Sequence, residues 1–312
     1  MREKIARGLL GFSAATIIAS TFFLWRGLDP FRTFYFLFAW GSYIGVLDAW
    51  LYLQGGESLF IGDILEFITF LVPFSAFVWF LFEFFNLRLQ NWIYLGVPSE
   101  LALRWAGNFL AFGTVLPGIF LTANLLEHYG VFRKNEFSQF FSEELPPAAF
   151  FGSIAGGAAM LLLPLLWPRY FFPLIWGGFV LLLDPLNARW RGKSLIQEWR
   201  QRNWNRTLQL LLAGFLCGGL WEFWNFWAGA KWVYTIPLPD SLLRNIKVFE
   251  MPLLGFLGFP PFALECFVMA ESARNLRDRI PRPAWRLLVL GAFLFSLWMC
   301  REIDLHTVQS FR

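Results

Sequence analysis

Nine stretches of this sequence are long and apolar enough to cross a lipid bilayer. A helix needs about 20 mostly apolar residues to span the hydrocarbon core. Lipid offers the backbone no hydrogen-bond partners, so spans of this kind are helices. The qualifying stretches are 8–25, 33–53, 67–87, 106–126, 147–167, 170–187, 207–227, 247–270 and 284–300. They predict an all-α fold, a polytopic membrane bundle of about nine transmembrane helices.

Composition excludes most soluble alternatives. Of 312 residues, 57% are hydrophobic, 20% aromatic and 15% charged, whereas an average soluble domain has about 25% charged residues. The net charge of +4 therefore does not indicate a nucleic-acid partner. Three scattered cysteines and two histidines outside the apolar stretches offer no paired ligands for haem or zinc. We expect no metal and no cofactor.

Basic residues predict how the chain is oriented. The first stretch follows Arg2, Lys4 and Arg7 and has no small-residue cleavage site before Trp25, so we interpret it as a retained helix. With the N-terminus inside, 16 of the 26 Lys and Arg residues fall on the cytoplasmic side, where such residues are enriched. This distribution predicts a bacterial inner (plasma) membrane protein with a cytoplasmic N-terminus and an external C-terminus.

The chain contains an internal repeat. Residues 40–59 and 176–195 share seven identities in 20 positions at a fixed offset, Asp48 and Asp184 among them. Residues 81–98 and 220–237 then match as a second block. Four spans per copy insert both copies in the same direction, as parallel repeats related by an axis along the membrane normal. The predicted division is copy one at 1–127, a cytoplasmic connector at 128–146, copy two at 147–272, and a basic loop with a ninth helix at 273–312.

Polar side chains recur at membrane depth in both copies. Glu83 and Asn86 share a helix face, and Glu222 and Asn225 repeat that arrangement. Polar and ionisable residues are costly in lipid, so these four are functional candidates. The structural alternative is a hydrogen-bond network that pins the outer loop.

For other repeated residues a structural role is the favoured interpretation. Asp48 and Asp184 lie near inner helix ends, where they can hold the following Gly-x-Ser-Leu turn. Trp92, Tyr94, Trp232 and Tyr234 are typical of an aromatic belt at the headgroup level. The 128–146 connector is amphipathic, and we expect it to lie on the inner surface.

The eighth stretch, 247–270, is the most unusual span. Glu250 precedes Pro252, and we expect Pro260 and Pro261 to break the helix in its middle, because each proline removes a backbone donor. Glu265 follows in the lower half of the helix. Copy one has Val115 where Glu250 stands, which predicts a single site served mainly by copy two.

This order of residues resembles the membrane lycopene cyclase domains of carotenoid synthesis. The residues that carry the resemblance are Trp221, Glu222, Trp232, Tyr234, Pro237, Glu250, Pro252 and Pro261. Those cyclases share a Pro-x-Glu-Glu motif, whereas Pro252 is followed here by Leu253-Leu254-Gly255. The departure favours a related substrate or a lost activity over lycopene cyclisation.

The resemblance implies acid catalysis on a polyprenoid or carotenoid-like lipid, by an isomerase or hydratase. Glu250 would donate the proton with Glu222 and Asn225 as partners, and aromatic faces would shelter a carbocation. The expected substrate-binding residues are Trp221, Trp224, Trp232, Tyr234, Glu83 and Asn86.

Two other functions stay open from the sequence. Duplicated halves and a broken helix with acids also fit an ion- or proton-coupled transporter. An aromatic surface also fits a non-catalytic lipid-binding subunit of a membrane complex, or a homo-oligomer. In each case the expected partner is a membrane lipid or polyprenoid and not a nucleic acid.

Overall fold

The computed structural model describes residues 1–133, 145–237 and 246–310. Over these ranges the protein is an all-α bundle, and nine of its helices are long and apolar enough to cross a membrane. They are α1 (Arg2–Trp25), α2 (Tyr35–Leu53), α3 (Ile64–Leu89), α4 (Leu101–His128), α5 (Pro147–Leu166), α6 (Pro168–Arg189), α7 (Asn205–Trp227), α8 (Leu253–Arg277) and α9 (Arg282–His306). The predicted fold class is confirmed. The surface helix predicted in the connector lies mostly outside the described residues.

Four of the spans change helical type along their length. The irregular segments are a π-turn at Phe67–Leu71 in α3, a break at Thr114 in α4, and 3₁₀ turns at Phe172–Trp176 in α6 and Leu253–Gly258 in α8. A short helix, Leu195–Arg200, lies between α6 and α7. Four short strands complete the described part of the chain: β1 (Trp92–Leu95), β2 (Lys231–Tyr234), β3 (Lys247–Val248) and β4 (Met251–Pro252).

The prediction that residues 247–270 form one helix, broken in its middle by prolines, is wrong. Residues 247–252 form a β3–β4 hairpin, with Glu250 in its turn, and α8 begins only at Leu253. Pro260 and Pro261 stand in the first turn of the regular part of α8, Phe259–Arg277, not in the middle of a helix. A first-turn residue has no intrahelical N–H partner to lose, so proline starts a helix there without breaking it.

The two halves of the bundle use the same helix pairs. α1 packs on α2 in the first half, and α5 packs on α6 in the second. α4 lies against α2 and α3, and α8 lies against the corresponding helices α6 and α7. α7 joins the halves by packing on α2 and α4, where the ring of Trp40 contacts Trp221 and Trp224. α9 lies outside this arrangement, against α3.

A two-stranded antiparallel ribbon also joins the halves. Trp92 of β1 pairs with Tyr234 of β2, and Tyr94 pairs with Trp232. Trp92 and Trp232 are equivalent in the repeat, and so are Tyr94 and Tyr234. Each of these pairs therefore joins a tryptophan of one copy to a tyrosine of the other. The Ile93–Val233 pair between them joins two equivalent positions. A two-fold axis through this central pair would relate the two strands with the same register.

The bundle has two ends, which we call the hairpin end and the loop end. The hairpin end carries β1, β2 and the last described residues, since Tyr94 exchanges backbone hydrogen bonds with Thr307 and Gln309. The loop end carries the connections α2–α3, α6–α7 and α8–α9, and there Glu66 pairs with Arg277 at 2.8 Å. The start of α1 and the end of α9 therefore lie at opposite ends. Which end faces the cytoplasm stays a prediction.

Candidate functional site

Glu83 lies in α3 near the hairpin end, where it is buried and bonded to three aromatic side chains. Its Oε1 accepts the indole Nε1–H of Trp79 at 3.0 Å and of Trp92 at 2.9 Å, and the hydroxyl of Tyr94 at 2.5 Å. Trp79 stands one turn earlier on α3, and Trp92 and Tyr94 share one face of β1 because strand side chains alternate. Such donors offset the cost of burying an acid among apolar groups.

Glu222 of α7 repeats this arrangement with one donor fewer. Its Oε1 accepts the hydroxyl of Tyr234 at 2.7 Å and Nε1–H of Trp232 at 3.2 Å. Trp232 also donates to the Tyr234 hydroxyl at 2.9 Å. Where copy one has Trp79, copy two has Gly218, and a Cβ there would lie 2.2 Å from the ring of Phe259. Phe259 of α8 thus fills the space of the third donor.

Both tyrosine hydroxyls keep their protons. Burial, reinforced by the neighbouring Glu83, raises the pKa of Tyr94 well above its ordinary value. Burial and Glu222 raise the pKa of Tyr234 in the same way. Each hydroxyl therefore acts as the donor to its glutamate.

The two asparagines clamp the ribbon strands. Asn86 donates from Nδ2 to the carbonyl of Trp92 at 2.9 Å and accepts the N–H of Asn91 at 2.8 Å. Asn225 donates to the carbonyl of Trp232 at 2.8 Å and accepts its N–H at 2.9 Å. The Glu-x-x-Asn spacing therefore places a buried acid beside each strand, and the asparagine holds that strand by hydrogen bonds to its backbone.

An aromatic cavity of about 370 Å³ lies between the halves beside the ribbon. Its wall is almost entirely apolar and draws on both copies. The lining residues are Phe36, Trp79, Asn91, Trp92, Tyr94, Ala111, Phe112, Val115, Phe172, Pro173, Trp176, Trp221, Trp232, Tyr234, Ile236, Met251, Leu254, Gly255, Leu257, Gly258, Phe259, Pro261 and Phe262. Of the predicted substrate-binding residues, Trp221, Trp232 and Tyr234 are in this wall. Trp224, Glu83 and Asn86 are buried but are not among the lining residues.

Two polar atoms on lining residues have no hydrogen-bond partner among the described residues. They are the indole Nε1 of Trp221 and the side-chain oxygen of Asn91, and both side chains are buried. The second carboxyl oxygens of Glu83 and Glu222 are also buried and without a partner in the described part of the chain.

Glu250 belongs to an ion pair at the edge of this site. Its Oε1 lies 2.5 Å from the ammonium of Lys231, with 16% of the Glu250 side chain and 27% of the Lys231 side chain exposed. The structure therefore brings Glu250 to β2, but as a paired carboxylate and not among the lining residues.

Other acids lie away from the ribbon. Glu265 in α8 is buried and accepts the backbone N–H of Phe179 at 3.0 Å. At the loop end, Asp48 accepts the N–H groups of residues 59–61, and Asp184 accepts those of residues 195–196 and the hydroxyl of Ser194. The two aspartates thus hold the turn that follows each helix, which is the structural alternative given above.

Sequence reasoning missed Trp79, Asn91 and Lys231. Trp79 carries a readable signal, because a residue four positions before Glu83 lies on the same helix face. Asn91 and Lys231 carry none, since their roles depend on the ribbon and the hairpin. Over the described ranges no three His, Cys, Asp or Glu residues are grouped to hold a metal ion.

Compared with family models, with curated proteins and with solved structures, the chain matches none of them. The resemblance to the membrane lycopene cyclases therefore stays a prediction. What the protein does has to be argued from the cavity and the two glutamates beside it.

Proposed function

We propose that this integral membrane protein binds an apolar lipid, of the polyprenoid or carotenoid class, in the aromatic cavity between its two halves. The observation that carries the proposal is the cavity itself, whose wall is built from rings of both copies. Its volume of about 370 Å³ is within the range of small-molecule sites, about 300–1,000 Å³. Aromatic faces suit flat, unsaturated chains because offset stacking and edge contacts add to the burial of apolar area.

A lipid would enter this cavity from the bilayer. Leu254 and Leu257 line the cavity, and they are 40% and 70% exposed on the surface of the bundle. Both belong to the first turns of α8, which is one of the nine membrane spans. Apolar side chains exposed there would face lipid, so an apolar ligand need not pass through water.

Extraction of the purified protein into organic solvent tests this proposal. We expect one polyene or polyprenoid to co-elute at a stoichiometric amount, identified by absorbance and mass spectrometry. Recovery of bulk phospholipid alone would contradict the proposal and direct attention to transport, with proton flux in proteoliposomes as the next assay.

A matched pair of substitutions in α4 controls for lipid carried on the outer surface. Ala111 lines the cavity, whereas Ala106 is an exposed residue of the same helix. We expect Ala111→Phe to fill the cavity and remove the extracted ligand, and Ala106→Phe to leave it unchanged. Equal extraction from both variants would place the lipid elsewhere.

Acid catalysis on the bound lipid is the second candidate function. It is favoured by Tyr94 and Tyr234, which line the cavity and each bond a buried glutamate. A proton added to a double bond leaves a carbocation on the chain. Loss of a proton from a neighbouring carbon then gives an isomer, and addition of water with loss of a proton gives an alcohol. Rings around the cavity would stabilise the cation.

The acid that serves such a reaction can be identified by substitution. Because Glu250 is paired with Lys231, we expect Glu222 to be the source of the proton. A protonated Glu222 would reverse its hydrogen bond with Tyr234, so that the tyrosine gives its hydroxyl proton to the substrate and takes the carboxyl proton of Glu222 in its place. Glu222→Gln should then abolish turnover of the extracted lipid while binding persists, and Glu250→Gln should retain turnover. The reverse result would return the role to Glu250.

A further inference from the structure

Arginines are concentrated around the connection between α8 and α9, at the loop end of the bundle. Three of them form ion pairs or hydrogen bonds within the protein. They are Arg274, Arg277 and Arg279. The other two, Arg282 and Arg286, belong to the first turns of α9 and are exposed. Neither makes a hydrogen bond or an ion pair with any residue that the structure describes, so the protein itself does not neutralise their charges.

The two unpaired arginines line an open pocket where α8 meets α9. The rest of its wall is formed by Arg277, Asp278, Ile280 and Trp285.

Two of these lining side chains are held by the ring of Phe70. The Arg277 guanidinium lies 4.8 Å from the centre of that ring, and the Trp285 ring lies 6.4 Å from it. The acid of the wall, Asp278, lies 3.4 Å from Arg277 and so offsets that charge. Three arginines against one aspartate leave the pocket positive, and its surplus charge lies on the two exposed side chains.

The helix face that carries these arginines continues into the membrane span. Arg282 and Arg286 are four residues apart, and Leu290 and Phe293 follow at helical spacing, so the four share one face of α9. Leu290 and Phe293 are 52% and 51% exposed, and exposed apolar side chains of a membrane span face lipid. Trp285 lies at the level of the arginines, and tryptophan is enriched at the headgroup level. The boundary between headgroups and hydrocarbon is therefore expected near Arg286.

We propose that this pocket binds the phosphate group of an anionic phospholipid through Arg282 and Arg286, with the acyl chains of the lipid along Leu290 and Phe293. A guanidinium group suits phosphate because its planar fork donates two parallel hydrogen bonds to the oxygens. Residues four apart on a helix are neighbours, so one phosphate can accept hydrogen bonds from both arginines. The dipole of α9 adds to this attraction, because the pocket lies at the N-terminus of that helix.

The surroundings of the pocket favour a lipid over a soluble anion. Leu287, directly after Arg286, is 69% exposed and begins the lipid-facing part of α9. The distribution of Lys and Arg predicts that the loop end is cytoplasmic, and the cytoplasmic leaflet is the one rich in anionic lipids. The pocket shares no lining residue with the aromatic cavity. The proposal thus goes beyond the proposed function and does not depend on it.

Lipid titration measured by native mass spectrometry tests the proposal. The detergent-purified protein is titrated with phosphatidylglycerol or with phosphatidylcholine of the same acyl chains, in which a choline cation compensates the phosphate. We expect the wild-type protein to bind its first phosphatidylglycerol about 30-fold more tightly, as two arginines at a membrane surface would give. The double variant Arg282→Gln/Arg286→Gln should bind both lipids equally, with its phosphatidylcholine affinity and melting temperature unchanged.

The matched control is the double variant Arg2→Gln/Lys4→Gln. Both residues are exposed at the start of α1, which is also at the loop end. This variant loses the same charge from the same end of the bundle and should retain the preference for phosphatidylglycerol. Equal losses in the two double variants would mean that the lipid is attracted by the basic surface as a whole, which overturns the proposal.

Two further outcomes would also overturn it. One is equal binding of the two lipids by the wild-type protein. The other is displacement of phosphatidylglycerol by inorganic phosphate in excess over the lipid, since this would assign the pocket to a soluble anion. Retention of the lipid in that competition is the expected result, because the acyl chains contribute contacts that phosphate lacks. None of these results bears on the aromatic cavity, whose ligand is tested separately by extraction.

Discussion

Glu83 and Glu222 occupy equivalent positions in the two copies, yet their surroundings differ. Glu83 accepts three aromatic donors, whereas Glu222 accepts two and lies beside the strand that carries the Lys231–Glu250 ion pair. Gly218 accounts for the difference, because it admits Phe259 where copy one has the Trp79 indole. The same motif is thus more fully bonded in copy one and less so in copy two.

The comparison separates the features that both copies share from those in which they differ. The ribbon retains its two-fold pairing, and both asparagine clamps are intact. Copy one has the additional donor Trp79, whereas copy two has Trp221 where copy one has Phe82, and Glu250 where copy one has Val115. Copy one therefore provides the reference with which these differences can be compared.

Removal of each glutamate should have the largest effect, and the effect should be unequal. Glu83→Leu leaves three buried donors unpaired, at about 1–3 kcal/mol for each donor. Glu222→Leu leaves only the Tyr234 hydroxyl unpaired, because Trp232 still donates to that hydroxyl. We expect the free energy of unfolding to fall by about 3 kcal/mol or more for Glu83→Leu, and by about 2 kcal/mol less for Glu222→Leu. Chemical unfolding in micelles measures both, with Glu→Gln at each site as the control that keeps an acceptor. Equal losses would mean that the two further donors to Glu83 contribute nothing.

Gly218→Ala tests the close approach of Phe259. The added Cβ would lie 2.2 Å from the Phe259 ring, and overpacking of this kind costs about 1–3 kcal/mol. Gly219→Ala is the matched control on the same helix, since nothing lies within 4 Å of its Cβ position. It should be neutral or stabilising, by up to about 1 kcal/mol. The quantity to compare is the free energy of unfolding of the Gly218→Ala variant against that of the Gly219→Ala variant.

Trp79→Phe should make copy one resemble copy two. It removes the third donor to Glu83 and should lower the free energy of unfolding by about 1 kcal/mol. A double-mutant cycle with Glu83→Leu isolates the hydrogen bond from loss of ring volume. A coupling energy near zero would show that the hydrogen bond between Trp79 and Glu83 does not stabilise the fold.

The smallest predicted effect is on the pH dependence of stability. It involves the loop end, where copy two has Glu198 and copy one has Gly62. Burial raises the pKa of Glu198 to about 7, against the lowering effect of Arg206. Between the ordinary value of 4.5 and about 7 the folded protein binds more protons than the unfolded chain, so stability should fall as pH rises through this window.

Substitution of Glu198 should remove that dependence. Glu198→Gln should raise the melting temperature by a few degrees at pH 8 and leave it nearly unchanged at pH 4. Glu57→Gln, an exposed carboxyl in the corresponding loop of copy one, makes the same charge change and should not alter the profile. An unchanged slope in Glu198→Gln would assign the pH dependence to other groups.

Much of the fold could be predicted because its cause is local. The nine apolar stretches are helices since lipid leaves the backbone no other partner. Each stretch overlaps one observed span, although α1 begins at Arg2 and not at 8, and α9 ends at His306 and not at 300.

The recurrence of Glu and Asn three residues apart suggested a hydrogen-bond network at the outer loop as one of two interpretations. It did not predict the two strands that the asparagines hold, and Trp92, Tyr94, Trp232 and Tyr234 were assigned to an aromatic belt. At the eighth span, Pro260 and Pro261 were predicted to break a helix, whereas they start one.

The site itself depended on contacts between distant parts of the chain. The sequence alone determined the membrane spans and the recurrence of the motif that contains Glu83 and Glu222, since hydropathy and spacing are properties of neighbouring residues. Only the tertiary structure decided that β1 meets β2, that Lys231 pairs with Glu250, and that Trp221 lines a cavity. Those features arise from packing of side chains far apart in sequence, and no local pattern encodes which of them will meet.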